Sequence, residues 1–156
     1  MKKLILMLNV IMVGSFLMLG CRNEKKEFDL VTAKKAIQER SNIYVDAVNK
    51  KDSVGLSHCY TVDAKLMAPN EKSAEGRAAI QKMMGGWMKT GMPHLSIETV
   101  EVWGDDNALT AEEIWTFKDK DGKILDQGKA VEVYKKEDGV WKLHRDCFNS
   151  DMPMMK

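Results

Sequence analysis

The stretch Trp141-Lys142-Leu143-His144-Arg145-Asp146-Cys147-Phe148-Asn149, running on into Ser150-Asp151-Met152-Pro153, decides how this chain is read. It follows Glu137-Asp138-Gly139, a turn sequence, and so forms the second arm of a β-hairpin. Alternation separates two faces. Trp141, Leu143, Arg145, Cys147 and Asn149 fall on one, and Val140, Lys142, His144, Asp146 and Phe148 on the other. A His and an Asp two residues apart on one face of a strand are either solvated or line a polar cavity.

Three more strand patterns precede this one. Ile124 to Tyr134 is reached through the turn Asp119-Lys120-Asp121-Gly122, and Ala108 to Phe117 through Gly104-Asp105-Asp106-Asn107. In the latter strand Leu109, Ala111, Glu113, Trp115 and Phe117 share a face. Leu95 to Trp103 shifts its apolar phase between Ile97 and Val100, which predicts a bulge. Further upstream the period changes to that of helices. Phe28 to Lys50 carries Leu30, Ala33, Ile37, Ser41, Tyr44 and Val48 at three- and four-residue steps, with Asp29 or Thr32 as cap. Asp52 or Ser53 opens a short helix to Tyr60, Ala64 to Ala68 is a brief strand ending at Pro69-Asn70, and Gly76 opens a helix placing Ile80, Met84 and Trp87 together. Helices first and a meander after them make an α+β domain, with a curved antiparallel sheet wrapped on N-terminal helices. Such a sheet closed by a long helix forms a cone whose mouth is a natural ligand pocket.

The N-terminus is of a different kind. Met1-Lys2-Lys3 is basic, Leu4 to Leu19 is mostly apolar, and Gly20 directly precedes Cys21, the pattern of a secretory signal peptide. Leu17-Met18-Leu19-Gly20-Cys21 resembles a bacterial lipobox, with Met18 off the usual pattern, so Cys21 is expected to be lipidated and to begin the mature chain. The expected organisation is a signal peptide over 1–20, a polar tether over 21–28, one domain over 29–153 and a tail over 154–156. The expected location is the bacterial cell envelope outside the cytoplasm, held to the membrane by the lipid anchor alone.

Loss of Lys2 and Lys3 takes the formal net charge from +1 to −1. A near-neutral, mixed surface argues against nucleic acid, which rewards a basic excess. Cys59 and Cys147 remain in an oxidising compartment, where a disulfide is allowed, although isolated cysteines are more often small buried apolar residues.

Several of these features together carry a resemblance. They are Tyr44 eight residues before Asp52, Tyr60-Thr61-Val62-Asp63-Ala64, Pro69, the helix start Gly76-Arg77-Ala78-Ala79-Ile80, and the hairpin Gly139-Val140-Trp141-Lys142 ending in Asn149-Ser150-Asp151-Met152-Pro153. In order and spacing they resemble the NTF2-like superfamily, in its SnoaL-like and DUF4440 branch, from about Ala33 to Pro153. The resemblance implies a cone-shaped α+β fold with a central pocket. Ketosteroid isomerases of this superfamily use a Tyr on the first helix, an Asp base before the Pro of the first strand and a protonated Asp on the penultimate strand. A gap-free count places Tyr44 on the first position, Ala68 on the second and Val131 on the third. Loss of a general base removes about 10²–10⁴-fold of rate, which excludes the isomerase reading.

The resemblance also implies that His144, Asp146 and Phe148 look into the cone, with Trp141 and Leu143 on the other side. The expected ligand pocket is Tyr44, Trp87, Val131, His144, Asp146 and Phe148. His144 and Asp146 either satisfy one another, bind a ligand or orient an imidazole as a base, and with Tyr44 they are weak catalytic candidates. His58, His144 and Asp146 lack paired-ligand spacing, so no metal is expected, and no cofactor either. The expected function is non-catalytic binding of a small, partly apolar molecule. Alternatives are a SnoaL-like enzyme performing proton transfer or hydration with the His/Asp pair, and a homodimeric assembly module recognisable by an exposed Trp103, Trp115 or Phe117 stripe.

Overall fold

Asp29 starts the fold, its Oδ1 accepting the backbone N–H groups of Val31 and Thr32 at 3.0 and 3.1 Å and so capping helix α1, Leu30–Asn49. The computed structural model describes residues 28–153. The signal peptide, Cys21, the tether before Phe28 and the tail lie outside the described residues. Asp52 caps the short α2, Ser53–Ser57, through the N–H of Gly55 at 2.8 Å. Then follow β1 (Tyr60–Met67), β2 (Ala74–Glu75), α3 (Arg77–Lys89), β3 (His94–Gly104), β4 (Leu109–Lys118), β5 (Ile124–Glu137) and β6 (Val140–Ser150).

The strands form one six-stranded sheet in the order β2-β1-β6-β5-β4-β3. β1 runs parallel to β6 and all other neighbours are antiparallel, so the sheet is mixed rather than wholly antiparallel. Its curved, unclosed surface holds the helices on the concave side, the arrangement expected from helices followed by a meander. β1 begins four residues earlier than the strand read from sequence, at Tyr60, and it meets β6 at both ends, Tyr60 beside Leu143 and Lys65 to Met67 beside Arg145 to Cys147.

α1 lies against the edge strand β3 and covers its free backbone groups. Lys34 Nζ donates to Val100 O at 2.7 Å, Thr99 N–H donates to Gln38 Oε1 at 2.8 Å, and Asn49 both accepts from Leu95 N–H at 2.8 Å and donates to Leu95 O at 3.0 Å. Covering the edge in this way removes a template for unwanted strand pairing. The core between helices and sheet contains Ile37, Val48, Leu56, Tyr60, Leu66, Ile80, Met84, Leu109 and Tyr134.

Two irregularities set which side chains face inward. The β3–β4 register shifts between Thr99 and Glu101, where the apolar phase predicted a bulge. A second shift, unforeseen, lies in the last hairpin: Tyr134 pairs with Leu143 but Val133 pairs with Arg145, so His144 is the extra residue. Alternation therefore does not run unbroken through β6. Leu143, expected on the outer side, is buried in the core together with Trp141, and beyond the bulge Asp146 and Phe148 take the inward positions.

Candidate functional site

β5 makes room for a cavity by being small at its centre. Its inward residues Gly128 and Ala130 pair with Trp115 and Glu113 on β4, and Ala130 pairs with Phe148 on β6. Large side chains thus stand on both flanks of a shallow middle. A Cβ at Gly128 would lie 2.0 Å from Asn149 O and 2.5 Å from the Trp115 ring, so only glycine allows the indole to settle there. Trp115 stacks edge-to-face on Phe148 and Phe117, with ring centroids 6.1 and 5.5 Å apart, and Trp87 of α3 meets Phe148 at 6.4 Å.

The resulting cavity has a volume of about 330 Å³. Met84 and Trp87 of α3, Met92, Pro93 and Leu95 wall one side, and Ala68, Pro69 and Glu71 stand on another. Two residues deeper than the aromatic ring row, on the same inward face, come three carboxyls: Glu113 on β4, Glu132 on β5 and Asp146 on β6, the last two paired directly across the sheet. All three are at least nine-tenths buried.

Neutral hydroxyls hold each carboxyl. Ser41 of α1 and Thr99 of β3 donate to Glu113 Oε1 at 2.6 and 2.9 Å. Tyr134 donates to Glu132 Oε2 at 2.6 Å, and Tyr60 to Asp146 Oδ2 at 2.6 Å. Tyr44, edge-on to Tyr60, completes the floor. Burial without a cation raises every acid. Burial raises Glu113, while burial together with the neighbouring Glu113 and Asp146 charges pushes Glu132 well above the carboxylate range. Burial lifts Asp146 to about 6, against the opposing pull of the Tyr60 hydroxyl. The phenols of Tyr44, Tyr60 and Tyr134 are raised well above 10, by burial first and by the adjacent carboxyls second. The site is a cluster of buried, hydroxyl-held carboxyls under an apolar vestibule.

The structure brings together four of the residues expected in the pocket, Tyr44, Trp87, Asp146 and Phe148. Val131 is not among them. It points outward, 53% exposed, because the neighbouring Glu132 takes the inward position, so a gap-free count lands one residue from the acid that faces the cavity. His144 is also outside the cavity. As the bulged residue of β6 it turns toward β1, where Nδ1 lies 3.1 Å from Thr61 Oγ1 and 3.5 Å from Asp63 Oδ1. Burial, reinforced by Arg145 and Lys135, lowers its pKa, and its ring is held by Thr61 and Asp63 rather than by Asp146.

Ala68 does border the cavity and supplies no base. Among the described residues no group of His, Cys, Asp and Glu has the geometry of a metal site, and Cys59 and Cys147 are both free, the first buried and the second exposed. Glu113 and Glu132 were the residues missed. A Glu on the buried face of Leu109, Ala111, Trp115 and Phe117 was the available signal for the first.

A family model described as the SnoaL-like domain matches residues 43–144. The chain belongs to the SnoaL-like domain family. Solved structures agree on the fold. A ketosteroid isomerase-like protein from Erwinia carotovora atroseptica is 20% identical, with 76% of this chain and 96% of that one covered and a TM-score of 0.64. An NTF2-like protein with a cystatin-like fold from Novosphingobium aromaticivorans is 18% identical, covering 84% and 90%, with a TM-score of 0.67. A protein of unknown function with a cystatin-like fold from Nostoc punctiforme is 16% identical, covering 76% and 90%, at a TM-score of 0.69. No curated protein matches the chain. A SnoaL-like domain with an internal cavity of this kind is a ligand-binding or enzyme-like domain.

Proposed function

We propose that this SnoaL-like domain receives a small, partly apolar molecule, its polar end on the Glu132–Asp146 floor and its apolar body among Trp87, Trp115 and Phe148. The observation that carries this reading is the layering of the cavity: an aromatic vestibule one pleat step above three buried carboxyls. A cavity of about 330 Å³ lies at the lower end of the usual range for small-molecule sites. Met1-Lys2-Lys3, the apolar run and Cys21 support a lipid-anchored protein of the bacterial cell envelope as the carrier of this domain. Native mass spectrometry of the protein purified from its own cells tests the binding reading. A bound mass lost on Trp87→Ala and Phe148→Ala supports it, and a protein that leaves those cells without any bound molecule and accepts none from a metabolite extract overturns it.

Proton transfer is the second reading, favoured by the cross-strand Glu132–Asp146 pair, in which burial lifts Asp146 to about 6, near the working pH of a general acid or base. Its acid–base group would be Asp146 with Glu132, in place of a His144–Asp146 pair. The dimer reading has less support, since Trp115 and Phe117 of the expected aromatic stripe face the cavity and Trp103 alone is exposed.

A further inference from the structure

We propose that the ligand is an amine cation on an aryl or alkyl body, a choice that rests on the small-molecule reading above and narrows it to a charge class. Glu71, Glu113, Glu132 and Asp146 border the cavity, and among the described residues no Lys, Arg or His does so. The hydroxyls of Ser41, Thr99, Tyr60 and Tyr134 supply hydrogen bonds to the three deep carboxyls without supplying any positive charge. Like charges that close, in a site removed from water, are relieved either by taking up protons or by a cation. Asp146 is 4% exposed, and among the described residues only its Oδ2 receives a protein donor. Its Oδ1 is free to accept from a ligand at the cavity floor.

The vestibule adds an independent preference. A cation on the floor sits one pleat step from the rings of Trp115 and Phe148, which line the cavity and pack edge-to-face at 89°. Aromatic faces attract ammonium groups and give an anion nothing comparable. An anion would also meet four carboxyls with no cation to offset them.

The test uses three molecules of nearly equal shape and different charge: phenethylamine, phenethyl alcohol and hydrocinnamate. Each is titrated into the purified full-length protein at neutral pH, with binding read by calorimetry and by tryptophan fluorescence. The amine is expected to bind ~10-fold or more tightly than the alcohol, and hydrocinnamate not at all. Glu132→Gln and Asp146→Asn, which keep shape and remove a carboxyl that can ionise against a cation, are each expected to cut the amine's advantage to a few-fold. If the alcohol binds as tightly as the amine, or hydrocinnamate binds, the amine assignment falls while the pocket reading stands. An amine advantage unchanged in both variants also overturns it, since the cation would then sit elsewhere. If none of the three binds, the amine assignment falls, and the pocket reading is decided separately by the native mass spectrometry.

Discussion

Tyr60 donates its hydroxyl to Asp146 Oδ2 at 2.6 Å, linking the start of β1 to the inward face of its parallel neighbour β6. The bond stabilises the charged carboxylate and opposes the rise that burial imposes. Tyr60→Phe is therefore expected to raise the Asp146 pKa further above about 6 and to cost about 1 kcal/mol of stability. Carboxyl ¹³C titration by NMR reads the first effect. An unchanged Asp146 titration would show that the phenol is not its controlling partner.

Stability should fall as pH rises toward neutrality. A carboxyl whose folded pKa lies above its unfolded value binds its proton more tightly in the folded state, so its contribution is complete below the unfolded pKa and declines through the folded one. For Asp146 that window runs from about pH 4 to about pH 6 and amounts to roughly 3 kcal/mol at most. Glu113 and Glu132 shift in the same direction and extend the decline upward. Glu137 acts oppositely: held at about 2 by Lys142, the Val62 N–H and Arg77, it contributes above its unfolded pKa and loses that contribution as acid approaches 2. Thermal melts across pH should peak in mildly acidic buffer. In Glu132→Gln the upper limb should flatten, and a melt curve rising steadily to pH 8 would contradict the assignment.

Gly128→Ala should be among the more damaging small substitutions. Its methyl would overlap Asn149 O and the Trp115 ring, backbone on one side and a packed indole on the other. A loss of 1–3 kcal/mol, roughly the cost of overpacking, is expected, with a shifted tryptophan emission as the indole moves. Wild-type stability and emission would show that the ring has room to retreat.

Arg77 anchors α3 to the opposite end of the sheet. Its guanidinium donates to Tyr60 O at 3.1 and 2.6 Å and to Glu137 Oε1 at 2.5 Å, and Lys142 donates to the same oxygen at 2.6 Å. Arg77→Ala is expected to cost 1–3 kcal/mol in denaturant unfolding and Arg77→Lys to recover only part, because a point ammonium cannot span both acceptors in the fork geometry. Full recovery by Lys would reduce the arrangement to simple charge pairing.

His144→Ala should leave ligand affinity unchanged. The imidazole faces Thr61 and Asp63 and lies outside the cavity. A modest stability loss with intact binding is expected by calorimetry. A collapse of affinity would mean that β6 couples to the pocket through its bulge.

Much of the architecture was legible because it rests on local periodicities. The 3.6-residue pattern of Leu30 to Val48, the caps Asp29 and Asp52, the glycine turns and the alternation of Leu109 to Phe117 each specify an element without reference to distant residues. The order of those elements then specifies a cone. Tyr44 and Trp87 lie on helix faces whose direction their own elements set, whereas the inward positions of Asp146 and Phe148 came from the family resemblance.

The errors have one origin. Val131 and His144 were placed by counting and by unbroken alternation, and a single extra residue reverses the direction of everything beyond it. Whether β6 carries that extra residue is decided by its partners, Tyr134 pairing with Leu143 and Val133 with Arg145, and by the parallel contact with β1. The charge of the site is likewise a tertiary property. Glu113, Glu132 and Asp146 are ordinary acids along the chain, separated by 14 residues or more. They become a raised-pKa cluster only where three strands bring them onto one floor, away from water and without a cation among the lining residues. By itself the chain's periodicity determined the α+β cone and its mouth. Register and desolvation, which depend on long-range pairing, decided which acids face the cavity and what charge they carry.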